Sequence, residues 1–208
     1  MDSIIFDVDG TLWDSTEIVA RAWQDYLKNQ HNIEITITAQ RLKSLFGQLL
    51  IDIARQLLPF CTPQDQERLI EGCCAAEHEA LLKEPAPLYP HLEDTLAALS
   101  RKYPLFIVSN CQAGYIEVFL KATGLSRYFA GHLCPGDTGV AKAENLMLIS
   151  QKYHLQAPVY VGDTMGDFEA CQKAGVPFIF ASYGFGDVPV PDARIESPFD
   201  LVALCGCK

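Results

Sequence analysis

The stretch "SIIFDVDGTLWDS", Ser3 to Ser15, decides how the chain is read. A short apolar run rich in isoleucine and phenylalanine, closed by Asp and Gly, is the pattern of a buried strand running into a turn, here expected over Ser3 to Val8. Two carboxylates, Asp7 and Asp9, stand where that strand leaves its sheet, with Gly10 directly behind them. Acids two residues apart at the mouth of a turn need a chemical reason, which the rest of the chain supplies.

Four more runs of the same kind follow at Leu105 to Ser109, Gly131 to Cys134, Pro158 to Gly162 and Pro177 to Ala181. Segments of helical length and period lie between them, at Gln112 to Ala122, Lys142 to Tyr153 and Asp167 to Ala174. Such alternation predicts an α/β fold, a Rossmann-like parallel sheet with helices on both faces. From Asp14 to about Pro87 the strand signal vanishes and helices take over. Ile18, Val19, Ala22, Trp23, Tyr26 and Leu27 keep a spacing of three and four, with Ser15 or Thr16 placed as the cap. Thr62-Pro63 opens a second helix, on which Leu69, Cys73, Ala76 and Ala80 form a small apolar face. "KEPAPLYP", Lys83 to Pro90, then returns the chain to the sheet. The expected division is a catalytic core of residues 1–13 and 88–208 and a helical cap domain of residues 14–87, hinged beside Asp14 and in the proline-rich return.

The 208 residues are 49% apolar, enough for one sizeable core. With 26 acidic residues against 16 basic ones and no basic patch, the chain is expected to bind neither nucleic acid nor an anionic membrane. No apolar run reaches the length of a membrane-spanning helix and no basic leader opens the chain, so a cytoplasmic location is expected. The eight cysteines lie mostly within apolar patterns and read as reduced thiols, including the terminal Cys205-Gly206-Cys207. The five histidines read as surface or capping residues.

Open parallel sheets bind ligands beyond the carboxyl ends of their strands. Asp7 and Asp9 end the first strand, Ser109 and Asn110 the second, Asp163 and Asp167 follow the fourth, and Lys142 opens the helix after the third. Four carboxylates gathered in one pocket stay ionised together only if a cation compensates them, and Mg2+ suits such oxygen ligands. The metal, Lys142, Ser109 and backbone amides would bind a phosphoryl group; one aspartate would attack phosphorus and the other would protonate the leaving oxygen. A calcium loop starting at Asp7 fails, because its sixth and twelfth positions are Leu12 and Ile18. "GDTGVAK", Gly136 to Lys142, lacks the Gly-Lys-Ser/Thr ending of a P-loop, and neither His-Glu-x-x-His nor Gly-x-Ser-x-Gly occurs.

The segments "DVDGT" at Asp7, "VSN" at Val108, Lys142 and "VGDTMGD" at Val161 resemble, in order and spacing, the haloacid dehalogenase superfamily, specifically its subgroup with a helical cap inserted after the first motif. The resemblance implies that Asp7 is nucleophile and magnesium ligand, and that Asp9 is the general acid/base and a ligand through its backbone carbonyl. It further implies that Ser109, Asn110 and Lys142 hold phosphate, that Asp163 ligates the metal and that Asp167 supports it. Asp9 favours phosphoryl transfer over dehalogenation. Within the superfamily the chain looks most like phosphoglycolate phosphatases, except that Lys142 is followed by Ala143-Glu144-Asn145 where many of those relatives have Lys-Pro. The expected activity is hydrolysis of a small phosphorylated metabolite by a monomer or weak homodimer. A phosphosugar mutase and a non-catalytic binding module of the same fold are the alternatives; Val19 stands where the mutases carry a histidine. Trp13, Thr16 and the "FGQLL" loop, with Gly47 and Gln48, are the candidates to contact the leaving group.

Overall fold

A computed structural model describes residues 1–207. Six strands, β1 (Ser3–Phe6), β2 (Leu105–Val108), β3 (Phe129–Leu133), β4 (Pro158–Gly162), β5 (Phe178–Ala181) and β6 (Ala193–Ile195), form one parallel sheet in the order β3-β2-β1-β4-β5-β6. Successive residues of a strand face opposite sides, so Ile4, Phe6 and Ile107 feed one apolar cluster while Ile5, Phe106 and Val108 feed the other. The chain builds outward from β1 in one direction, then returns to lay β4 on its other flank. That reversal opens a crevice at the carboxyl ends of β1 and β4, where Asp7 and Asp163 stand.

Between β1 and β2 run α1 (Thr16–His31), α2 (Ala39–Lys43), α3 (Leu50–Leu57), α4 (Pro63–Lys83) and α5 (Leu92–Ser100). α1 packs along α4, α3 packs on α4, and α4 also meets α6 (Tyr115–Thr123), the helix that follows β2. The chain enters and leaves the α1–α4 segment side by side: Asp14 N donates to Pro87 O and Tyr89 N to Leu12 O, each at 3.2 Å, around an antiparallel Trp13–Leu88 bridge. Beyond β3 come α7 (Pro135–Thr138), α8 (Lys142–Tyr153), α9 (Met165–Ala174) and α10 (Asp200–Leu204); α8 packs on α9. Among the described residues, no helix is long and apolar enough to cross a membrane.

Several local expectations shift. β6 was not anticipated, because three residues set among Pro, Asp and Ser carry no strand period. β3 begins at Phe129, two residues before the apolar run that opens at Gly131. α6 starts at Tyr115 rather than Gln112, since Gly114 takes a left-handed φ of 86° and leaves Asn110 to Gln112 in the loop above the sheet. Ser15 stands at the N-cap of α1 but makes no side-chain capping bond; Asp14 Oδ1 accepts from Thr16 N at 3.1 Å, and the Ser15 hydroxyl turns to Asp9. Thr62 does cap α4, accepting from Asp65 N. His91 and His154 mark helix ends with φ of 60° and 57°, whereas His78 is half-buried against Gln112 rather than on the surface.

Candidate active site

Asp7 stands at the end of β1, where its backbone N–H still bonds Val161 O in β4. Asp163 follows β4, and Asp167 lies in the first turn of α9, where it and Thr164 form a capping box. One oxygen from each of Asp7, Asp163 and Asp167 lies within 4.8 Å of the others, and all three side chains are buried. Lys142, at the start of α8, is buried among them; its Nζ donates to Asp7 Oδ1 at 2.8 Å and to Asp167 Oδ1. Burial opposes the charge on Lys142, but Asp167 and Asp7 hold the ammonium well above its ordinary range. Burial would also raise Asp167, yet Lys142 and the Thr164 hydrogen bonds bring it below the usual carboxylate range.

Asp7 and Asp163 are left the worse compensated. Burial raises Asp7 in spite of Lys142, and burial together with Asp167 and Asp7 raises Asp163 well above its ordinary value. Asp163 accepts hydrogen bonds from Phe185 N at 2.7 Å and from the Thr11 hydroxyl at 3.4 Å, and it has no cation of its own. Three buried carboxylates against one ammonium are the donor set and charge that a divalent cation fits. Gly10 explains itself here. Its φ is 82°, and a Cβ built on it would stand 2.0 Å from Asp163 Oδ2, so no side chain leaves the carboxylate where it is.

Asp9 points elsewhere. Its Oδ1 accepts from the Ser15 hydroxyl at 2.5 Å and from the Tyr115 hydroxyl at 2.9 Å, and burial pushes its pKa up to about 7. Asp7, Asp9, Ser109 and Asn110 line one cavity with Phe46, Gly47, Leu50, Ile53, Trp23 and Glu77 of the helical segment. The cavity leaves about 40 Å³ free, enough for roughly three waters. Asn110 Nδ2 donates to Gly47 O at 2.8 Å and so bridges the sheet edge and the loop after α2.

The sequence candidates therefore divide. Asp7, Asp163, Asp167 and Lys142 form one ion cluster, while Asp9, Ser109, Asn110 and Gly47 share its cavity. Trp13, Thr16 and Gln48 do not line it. Trp13 is fully buried against Phe119, 4.9 Å between ring centroids, because it sits in the paired linkers rather than on an open face. Thr16 is buried with its hydroxyl on Asp14, and Gln48 accepts from Gln56 at the surface of the helical segment. Val19 is buried among apolar side chains. Sequence reasoning missed Glu77, Gln112, Trp23 and Tyr115 as cavity residues. Glu77 carried a signal: it lies four residues after Cys73, so an acid falls on the buried face of α4.

Comparison with known proteins bears on the family and the fold. The family model described as haloacid dehalogenase-like hydrolase matches residues 4–181. The phosphoglycolate phosphatase of Escherichia coli (strain K12) is 28% identical over 153 residues, covering 69% of this chain and 61% of that protein, so the chain spans about three fifths of that relative's length. The phosphoglycolate phosphatase of Agrobacterium fabrum is 30% identical over 218 residues, 96% of this chain and 89% of that one. The solved structure of a haloacid dehalogenase-like hydrolase from Streptococcus pneumoniae superposes with a TM-score of 0.84 at 21% identity, over 99% of this chain and 98% of that one, a likeness of fold. Matched by the family model from residue 4 to residue 181, the chain belongs to the haloacid dehalogenase-like hydrolases.

Proposed function

We propose that the protein is a Mg2+-dependent phosphatase of small phosphorylated metabolites, in which residues 14–87 act as a cap over a catalytic core of residues 1–13 and 88–208. The observation that carries this reading is the buried cluster of Asp7, Asp163 and Asp167 around Lys142, at the point where strand order reverses. Asp7, Asp163 and the Asp9 carbonyl would hold the metal, with Asp167 in support. When bound, the metal supplies charge neutralisation for the phosphoryl oxygens.

The protein's own groups account for the remaining steps. A carboxylate oxygen of Asp7 attacks phosphorus, forming an O–P bond as the bond from phosphorus to the leaving oxygen breaks. Lys142 holds Asp7 in place at 2.8 Å and keeps positive charge beside the phosphoryl group. Asp9, with its pKa pushed up to about 7, carries a proton near neutrality and gives it to the leaving oxygen. Ser15 and Tyr115 both donate to Oδ1, which leaves Oδ2 to carry that proton. Asp9 then takes a proton from the water that attacks the aspartyl phosphate, releasing phosphate and restoring Asp7. The names of the E. coli and A. fabrum relatives make phosphoglycolate the natural first substrate to try.

The test is phosphate release from 4-nitrophenyl phosphate and a panel of small esters, with Mg2+ and with excess chelator. Magnesium-dependent release that falls by at least about a thousandfold in Asp7→Asn is expected for a lost nucleophile. Turnover that survives Asp7→Asn sinks the mechanism.

A further inference from the structure

The cavity has two unlike ends. One carries Asp7, Asp9 and Ser109; the other is walled by Trp23, Phe46, Leu50 and Ile53, with the carboxyl of Glu77 set among them. Glu77 is 3% exposed and held at both oxygens, by Trp23 Nε1 on Oε2 and by Gln112 Nε2 on Oε1. Burial pushes its pKa up to about 8. Asn110 Oδ1, in the same cavity, is buried with no hydrogen-bond partner.

Among the described residues, no Arg, Lys or His lines this cavity. Lys142 is spent on Asp7 and Asp167, and Lys43 is held by Asp14 at 2.6 Å and stands outside the lining. A carboxylate on the leaving group would be desolvated beside Asp9 and Glu77 with no cation to pair with, whichever protonation state Glu77 adopts. A hydroxyl would meet the reverse situation: acceptors at Asn110 Oδ1 and Glu77, and apolar walls for its carbons. Resting on the phosphatase reading above, we infer that this end of the cavity takes the uncharged, hydroxyl-bearing alcohol of a small polyol phosphate in preference to a carboxylate-bearing alcohol, and that Glu77 is a specificity-determining residue.

The experiment measures kcat/KM of the full chain with Mg2+ on glycerol 3-phosphate, 2-phosphoglycolate and 4-nitrophenyl phosphate, for wild type and Glu77→Gln. Expected is a preference of at least about tenfold for glycerol 3-phosphate over 2-phosphoglycolate in wild type, narrowing to about threefold or less in Glu77→Gln, whose amide can donate to a carboxylate. A merely structural role for Glu77 would lower both substrates alike and leave the ratio unchanged, which would overturn the assignment to this residue. Equal or better use of 2-phosphoglycolate by wild type overturns the inference while leaving the phosphatase reading intact. Inertness toward all three esters, 4-nitrophenyl phosphate included, overturns that reading and the inference with it.

Discussion

Lys142→Met isolates the electrostatics of the acidic cluster. Methionine keeps an unbranched stem of similar length, so packing is nearly retained while the cation that pairs with Asp7 and Asp167 is removed. Breaking a buried ion pair from one side costs about 3–5 kcal/mol, because the surviving charge stays desolvated. Two carboxylates depend on this lysine, so the upper part of that range is expected without metal. In a protein of this size such a loss corresponds to a fall in Tm of about 10–15 °C, or in urea midpoint of about 2 M. The assay is urea unfolding of both proteins in excess chelator, repeated at about pH 7 and at about pH 3. Asp167 lies below the usual carboxylate range, so its contribution is present above the unfolded value of about 3.9 and lost as pH falls through the lower folded value. The variant has already lost that contribution, so this part of the difference between the proteins is full at pH 7, still nearly full at about pH 4, and shrinks only below that. A difference below about 1 kcal/mol at pH 7 would refute the view that Lys142 compensates the cluster.

Magnesium at roughly a hundred times its dissociation constant should stabilise the wild type by about 2.7 kcal/mol, read as a rise in Tm that chelator reverses. Asp163→Asn should lose most of that gain; an undiminished rise would remove Asp163 from the metal site. Gly10→Ala combines about 1–2 kcal/mol of left-handed backbone strain with a Cβ 2.0 Å from Asp163 Oδ2, so a loss above about 2 kcal/mol is expected together with a weakened response to Mg2+. Wild-type stability and metal response in Gly10→Ala would show that the glycine is not required there.

The sheet and the core half of the site were legible because both rest on short-range pattern. Ile4 to Phe6 announce a strand, and a parallel sheet obliges whatever follows each strand to gather at one edge, so Asp7, Ser109 and Asp163 could be placed together without coordinates. β6 was not legible because strand Ala193–Ile195 owes its existence to pairing with Ile179 to Ala181 rather than to any period of its own. The wall of the cavity was harder still. Which side chains of α1, α3 and α4 face Asp7 depends on how those helices cross one another and the sheet, and this set Glu77 and Trp23 in the cavity while leaving Thr16 and Gln48 out of it. Trp13 misled for a related reason: adjacency to the motif suggested substrate contact, but the pairing of Trp13 with Leu88 turns the indole into the core.

The paired linkers also bear on the order of folding. Ile4 pairs with Leu105, so joining β1 to β2 directly means closing a loop of about 100 residues, an entropic cost met before any contact repays it. If α1 and α4 associate first, the bonds from Asp14 to Pro87 and from Tyr89 to Leu12 pin the ends of that loop, and only the stretches from Phe6 to Leu12 and from Tyr89 to Leu105, the latter containing α5, remain to be closed. The α1–α4 segment would then act as a clasp that lets the central strand find its partner. Pulsed hydrogen exchange during refolding should protect amides of α1 and α4 ahead of those of β1 and β2. Protection of the sheet first would show that the central strand finds its partner without the clasp.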